Sequence, residues 1–549
     1  MAPRTIAPGI ALLAVLGCWE PNHFDPNYGA TTGPKGTESG DPSGPGATSA
    51  GGTDPTGGTS AAPATSTAAA SESDGDPSTT FRPQDPPPQV KSFSVTPHVL
   101  YLADHATLDA AFSTDVVEVD ILEIIDGADE VLADDLAPAD FPFDLLMATA
   151  ADNGLHTYKL RARDALDQST DSNIDTLTVL LPPGGTALGT VVSDYDEKSQ
   201  GYAVTPRADG GSFIVGAFEN GGWAAFARGY AKDGTLPINV MPTDGIAIAN
   251  ALAPAGNGDV YVVGNYDDNG GGYLARVTPM GDVTLLDKLG EKTVGRAVAL
   301  VGDRVLVAGH APDPDDQSEK TDDLRVWIYD ALATDDPPLE IAWQPDDESE
   351  FAFADDEAVA IAADGDRVIV VGQSEIQDKW ISRSRLVALH VGLNGAILDE
   401  VLHAPKGLAV AATAVTVTPV GDAILGGWSA PLVSNPPRQP ALFGLSAELE
   451  LTTELHDLPG IHEVRGVAAL PNKRVVVATD IAGVGGTDIL LRGVAWPSGV
   501  QTWAYTYKGS QGGDDHVHAV AAEPAGIVHF TGHTQVGGAP RALVGRVHP

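Results

Sequence analysis

From residue 184 onward the chain writes one short pattern seven times, and this repetition limits its fold more than any other feature. A strand of small apolar residues is followed by Gly-Asp or Gly-Gly, a β-branched strand that ends in Gly, and a third apolar strand. The second strand of each unit reads Gly211-Ser-Phe-Ile-Val-Gly216, Asp259-Val-Tyr-Val-Val-Gly264, Asp303-Arg-Val-Leu-Val-Ala-Gly309, Asp366-Arg-Val-Ile-Val-Val-Gly372, Asp422-Ala-Ile-Leu-Gly-Gly427, Lys473-Arg-Val-Val-Val-Ala-Thr479 and Gly526-Ile-Val-His-Phe-Thr-Gly532. Gly216 to Gly532 is 316 residues in six steps, about 53 each, which suits four short strands and their loops. That period predicts a seven-bladed β-propeller over 184–549, because a helical solenoid would need a 3.6-residue periodicity that these units lack. The seventh unit reaches Arg546-Val-His-Pro549 after only three strands, while Thr186-Ala-Leu-Gly-Thr-Val-Val-Ser193 stands ahead of the first unit without a sheet of its own. The N-terminal strand is therefore expected to complete the last blade and close the ring, which removes exposed sheet edges.

Between Val90 and about Pro183 the pattern changes to short alternating runs. Val90-Lys-Ser-Phe-Ser-Val95, Thr107-Leu-Asp-Ala-Ala-Phe112, Val116-Val-Glu-Val-Asp-Ile-Leu122, His156-Thr-Tyr-Lys-Leu-Arg-Ala162 and Ile174-Asp-Thr-Leu-Thr-Val179 each suit a half-buried strand, and Gly, Asp, Asn and Pro punctuate them. Residues 89–183 are thus expected to form a β-sandwich. Within it, Asp152-Asn-Gly-Leu-His-Thr-Tyr-Lys-Leu-Arg-Ala-Arg-Asp164 resembles the penultimate strand of bacterial immunoglobulin-like domains, which implies an Ig-like spacer.

The N-terminal segment carries an address rather than a fold. Arg4 precedes an apolar run from Ile6 to Leu16, too short to span a bilayer, which needs about 20 apolar residues. Val15-Leu16-Gly17-Cys18 then resembles the bacterial lipobox, and the resemblance implies cleavage after residue 17 with Cys18 lipidated as the mature first residue. An ordinary secretory signal is the alternative. The residue after the cysteine is Trp19 rather than an aspartate, so the same resemblance implies the outer membrane or cell surface. Cys18 is the chain's one cysteine, so no disulfide forms within a chain and packing must hold the domains. Residues 18–88 are rich in Gly, Ser, Thr, Ala, Pro and Asp with few large apolar groups. Such a segment cannot offset its ordering entropy and reads as a disordered tether, with an r.m.s. reach of roughly 45 Å.

Lys and Arg number 31 against 75 Asp and Glu, for a net charge of −44. That balance excludes nucleic acid as a partner, since binding phosphates needs clustered cations, and it opposes docking on anionic lipid head groups. Ala247-Ile-Ala-Asn-Ala-Leu-Ala-Pro-Ala-Gly-Asn-Gly-Asp-Val-Tyr-Val-Val-Gly264 resembles the SBBP-type repeat of secreted bacterial β-propellers. With the lipobox-like start, the whole chain is similar to large myxobacterial surface lipoproteins, a resemblance that implies a habitat and no reaction.

Three sets of residues are candidates for a site. The longer loops, Asn265 to Gly271, Ala311 to Asp323, Gln344 to Asp355, Gln373 to Ser382, Ser429 to Gln439 and Lys508 to Asp514, all fall on one face of the expected ring. They carry Asp267, Asp268, Asp313, Asp315, Asp316, Asp322, Asp323, Asp346, Asp347, Glu348 and Glu350. Asp313, Asp315 and Asp316 could hold Ca²⁺ through hard oxygen ligands, although no calcium-loop spacing is present and solvated acidic loops are the alternative. Alignment of the innermost strands puts Arg296, Glu357, Thr413, Arg465 and His518 at equivalent positions, where they would ring the mouth of a central channel. They would either neutralise one another or bind a small polar or anionic ligand. Histidines at 516, 518, 529 and 533 gather in the seventh unit, with His516 and His518 on one strand face. No HExxH, paired CxxC, GxSxG elbow or phosphate loop accompanies them.

Two functions fit this reading. One is a non-catalytic surface lipoprotein whose propeller binds an envelope protein or glycan, anchored to the membrane through Cys18 and needing no cofactor. The other is an extracellular polysaccharide lyase or hydrolase that uses carboxylates or His518 as acid and base.

Overall fold

The computed structural model describes residues 86–549 apart from 101–103, 126–127, 148–151, 196, 244, 246, 267–270, 313–321, 332–335, 346–353, 379–380, 419, 433–436, 457, 472 and 510–512. The signal segment, Cys18 and most of the tether lie outside the described residues. Among the described residues the fold is all-β, with one 3-10 turn at Pro138–Asp140 and no helix able to cross a membrane.

Residues 90–179 form two sheets. Val90–Thr96, Asp104–Phe112 and Phe143–Met147 make the smaller sheet. Val99–Leu100, Asp175–Val179, Gly154–Asp164, Val116–Ile125 and Ala128–Leu136 make the larger one in that spatial order, and Ser169–Asp171 pairs with Gly154–Asp164. Phe93, Val95 and Leu108 of the first share a buried cluster with Val119, Ile121, Tyr158, Leu160 and Leu177 of the second. Alternation sends most of these residues inward and the charged ones outward, except in Val116–Ile125, where Val119 to Leu122 are all buried and Asp120 pairs with Arg163. Ala128–Leu136 breaks the rule, being exposed along nearly its whole length, and it escapes a reading based on alternation.

Seven four-stranded antiparallel sheets follow, each built from the repeat. Their first strands are Ser199–Pro206, Ala247–Pro254, Val294–Val301, Ala354–Asp364, Leu408–Val417, Ile461–Leu470 and His516–Ala522, which number the sheets 1 to 7. Each first strand packs against the first strand of the next sheet, and that of sheet 7 packs against that of sheet 1. This cyclic order of radiating sheets is β-propeller-like. Sheet 7 takes its outermost strand from Ala187–Val192, whose register on Ala539–Val547 includes Ala187↔Val547 and Val191↔Val544.

The same irregularity recurs on all seven first strands. The register shifts between Gly201 and Ala203, Ala249 and Ala251, Gly295 and Ala297, Ala358 and Ala360, Ala412 and Ala414, Val464 and Gly466, and Val517 and Ala519. Tyr202, Asn250, Arg296, Val359, Thr413, Arg465 and His518 are therefore the extra residues of seven β-bulges. Each bulge drives a carbonyl of the first strand against the second strand. At Gly216, Gly264, Gly309, Gly372, Gly427 and Gly532 an added Cβ would lie far inside the contact distance of the carbonyl oxygen two residues before the bulge. None of these six glycines has a positive φ, so space rather than dihedral freedom excludes a side chain. This is why the second strand of the repeat ends in Gly. Sheet 6 carries a second register shift, between Ile461 and Val464, and there Thr479 takes the place of the glycine.

The residue after each bulge is Ala203, Ala251, Ala297, Ala360, Ala414, Gly466 or Ala519. Small side chains let neighbouring first strands approach, while Val, Ile and Leu of the second and third strands fill the space between sheets farther out. Gly309→Ala is expected to lower stability by about 1–3 kcal/mol, as overpacking does. Gly256, exposed with nothing near its missing Cβ, is the control, and Gly256→Ala should change stability by less than about 0.5 kcal/mol. Urea-denaturation midpoints of the two variants measure the difference.

Candidate functional site

The bulges decide where the candidate ring residues stand. Arg296, Thr413, Arg465 and His518 are bulge residues at equivalent positions, whereas Glu357 precedes its bulge by two residues and Val359 holds the equivalent place in sheet 4. The alignment errs there by two residues because register across a bulge leaves no mark in the sequence. Tyr202 and Asn250 complete the set, and the sequence alignment missed both.

Three of these side chains, Asn250, Arg296 and Thr413, reach the next sheet. Arg296, 5 % exposed, donates from Nε to Glu357 Oε1 at 2.6 Å. Glu357 is also 3.4 Å from His310 Nδ1, and His310 lies 3.7 Å from Asp322. Burial alone would raise the Glu357 carboxyl, but the Arg296 guanidinium and His310 outweigh it and hold the group at about 2. Asn250 donates to the backbone carbonyl of Gly295 at 2.8 Å and to Asn265 at 2.9 Å. Thr413 donates to the Val464 carbonyl, the residue just before the next bulge. Residue for residue, Asn250 and Thr413 make the same link, each to the carbonyl that precedes the following bulge.

Arg465 contacts Glu463 and stands 3.9 Å from Asp480, and Glu463 in turn meets Arg438 at 3.6 Å. Both arginines of the expected ring thus face carboxylates already, and the geometry favours mutual neutralisation over an anion site.

The histidines of sheet 7 form one cluster. Asp480, 1 % exposed, accepts the Val517 N–H at 3.0 Å and a hydrogen bond from His516 Nδ1 at 2.9 Å. This bond fixes the tautomer and leaves Nε2 of His516 as the acceptor nitrogen. His518 is 6 % exposed, its Nε2 lies 3.1 Å from His533 Nδ1, and its Nδ1 has no hydrogen-bond partner. The edge of Tyr202 meets the His518 ring with centroids 5.4 Å apart. Burial holds His518 well below the ordinary imidazole range and, with His516 beside it, pushes His533 down to about 3. His516, with its side chain 31 % exposed, is therefore the accessible imidazole rather than His518. Asp480 follows the glycine-equivalent Thr479 of sheet 6, so its place in the repeat is the sequence signal that would have found it.

The acidic loop residues divide. Asp267, Asp268, Asp313, Asp315, Asp316, Asp346, Asp347, Glu348 and Glu350 lie outside the described residues. Asp323 is buried and accepts from Arg325 at 2.7 Å and from Gln344, so it is not a solvated loop carboxylate. Gln373 to Ser382, expected as a loop, mostly extends the hairpin of sheet 4, with pairs from Gln373↔Leu386 to Gln377↔Ser382. Among the described residues no group of three or more His, Cys, Asp or Glu side chains is placed to hold a metal ion.

No family model and no curated protein matches the chain. Solved structures similar to it include a protein of unknown function from Dyadobacter fermentans, 13 % identical, covering 67 % of this chain and all of that one with a TM-score of 0.39. The polysaccharide lyase Uly1 is 10 % identical over 63 % of this chain and 90 % of its own, with a TM-score of 0.40. A Lactobacillus plantarum protein is 14 % identical over 64 % and 91 %, with a TM-score of 0.31. At such identities and scores no activity passes from those proteins to this chain.

Glu357→Gln should cost about 1–3 kcal/mol at neutral pH by leaving Arg296 without its counter-charge. Because the Glu357 carboxyl lies below its ordinary value of 4.5, its contribution is complete above pH 4.5 and disappears as pH falls toward 2. Urea midpoints at pH 7, 4 and 2.5 should show a smaller acid loss in the variant than in the parent chain.

Proposed function

We propose that the chain is a cell-envelope lipoprotein whose propeller is a binding scaffold for a protein or glycan of the envelope or the medium. Acylated Cys18 anchors it, residues 18–88 tether it, and residues 89–183 act as an Ig-like spacer. The seven sheets form a seven-bladed propeller that Ala187–Val192 closes. The membrane concerned is the outer one.

One observation carries the binding reading. The arginines of the first strands are spent on neighbouring carboxylates, Arg296 on Glu357 and Arg465 on Glu463 and on Asp480 of the adjoining second strand. A hub built this way holds sheets together and leaves recognition to the loops that a rigid scaffold displays.

A second reading, an extracellular polysaccharide-active enzyme, is favoured by the Asp480–His516 pair, which orients an accessible imidazole as an acid/base group would need to be. In that reading His516 takes the role that the sequence assigned to His518.

Two measurements test the proposal. Radiolabelled palmitate should enter the chain in its native host and be absent from Cys18→Ala; a labelled variant would reject the anchor. The purified chain should bind isolated envelopes saturably, with His516→Ala binding equally well and no polysaccharide consumed. Turnover of a polysaccharide that is lost in His516→Ala would replace the binding reading with the enzymatic one.

A further inference from the structure

We propose that sheet 7 is an acid-operated latch: protons taken up by imidazoles buried at its two flanks and its lower end loosen the ring at that sheet while sheets 2 to 5 remain folded. The inference rests on the ring closure proposed above. Five of the chain's 14 histidines, His516, His518, His529, His533 and His548, belong to this one sheet and its C-terminal extension.

His529 lies on the seam between sheets 7 and 1 and is fully buried. Its Nδ1 lies 2.8 Å from Ser212 Oγ of sheet 1, and its Nε2 lies 2.8 Å from Glu523 Oε1. The neutral ring satisfies both contacts by donating to the carboxylate and accepting from the hydroxyl. Ser212, His529 and Glu523 have the connectivity of a hydrolytic triad, yet the serine is 3 % exposed, and the arrangement acts as a staple between sheets. Arg546 is the cation that faces His529.

His518 and His533 share one N–H···N contact on the flank toward sheets 6 and 1, surrounded by His516, Asp480, Arg465 and Tyr202. A proton added to the accepting nitrogen sets two N–H groups against each other. A proton added elsewhere places an imidazolium beside Arg465 in a space with little water.

His548 is fully buried; burial and the Arg474 guanidinium oppose its charge and outweigh the Pro549 backbone, which favours it. Its backbone pairs with Gly185 and Thr186, the residues that lead into the strand completing sheet 7. Charging any of these rings therefore strains the part of the molecule where the two ends of the propeller meet.

The direction follows from linkage. Burial lowers the affinity of His518, His529, His533 and His548 for protons, whereas an opened chain titrates near 6.5. Opening then binds protons, so closure weakens as pH falls below about 6.5, by up to about tenfold per pH unit for each ring. His390 of sheet 4 is also lowered, by burial and then by Arg367, but it stands alone and half-buried. His156 of the sandwich has the opposite sign. Burial acts against its charge, yet the Asp152 carbonyl and Glu123 raise it, so protonation stabilises that domain fully below about pH 6.5 and the gain fades as pH rises.

Hydrogen exchange of the full chain, read by mass spectrometry at pH 7 and pH 5 and corrected for the intrinsic rate, tests the latch. The expected result is at least a tenfold loss of protection at pH 5 confined to residues 187–192 and 516–547, with sheets 2 and 3 unchanged and the sandwich no less protected than at pH 7. His529→Gln, which does not titrate, should retain more protection at the seam with sheet 1 at pH 5 than the parent chain. Equal protection of sheet 7 at both pH values, or a uniform loss across all sheets, would overturn the proposal even if the variant fails to fold. Absence of protection in 187–192 at pH 7 would instead strike the ring closure itself.

Discussion

Seven first strands crowd around one axis, and the rest of the propeller-like fold answers to that crowding. A regular strand of bulky residues cannot stand there beside two neighbours of its own kind. Ala or Gly follows every bulge, and the bulge itself turns each strand locally. The added carbonyl then needs room on the second strand, which glycine provides in six sheets. One steric constraint at the centre thus writes two separate marks into each repeat, the small-residue first strand and the glycine-terminated second.

The bulges also supply the hub. A residue outside the regular ladder is free to reach sideways, and Asn250, Arg296 and Thr413 use that freedom to bind the following sheet. Polar groups taken from water recover their losses only when paired, and here the partners are carbonyls and carboxylates of a neighbouring sheet. The seam between sheets 7 and 1 joins parts of the chain more than 300 residues apart, and it draws on further contacts of the same kind. Ser199 accepts from Ala542 N–H at 2.9 Å, and Arg546 reaches the carbonyls of Gly210 and Lys232. Arg228 stacks on Tyr195 at 3.8 Å and meets Asp194 at 2.9 Å beside the same seam. The fully or nearly fully buried histidines, His518, His529 and His548, all lie in this closing part of the ring, where loop-closure entropy opposes the joint.

The sequence exposes whatever depends on local pattern. The seven second strands, six of them ending in Gly, the small-residue strands and the spare strand at Thr186 to Ser193 are all readable, because each is a run of residues under one steric demand. Register was not readable across a bulge, so Glu357 was placed where Val359 stands. Pairing partners were hidden for a different reason: Arg296 meets Glu357 61 positions away, and His516 meets Asp480 36 away. Neither separation leaves a periodic trace. His518 looked available because a strand pattern shows which face a residue occupies, and it does not show that His533 and Tyr202 cover that face. Ala128–Leu136 was missed because an exposed edge strand has no buried side to alternate with.

The central claim is that the two ends of the seven-sheet region meet in one sheet and so make a ring. A Val191→Cys, Val544→Cys pair tests it directly, since these residues are register partners and the chain's only cysteine, Cys18, can be replaced by Ala. Antiparallel partners lie about 4.5–5.5 Å apart between Cα atoms, within disulfide reach. Mild oxidation of the folded, monomeric protein should join the two peptides within one chain, as read by mass spectrometry of the digest. Failure to cross-link while the protein remains folded, or links only between chains, would contradict the ring.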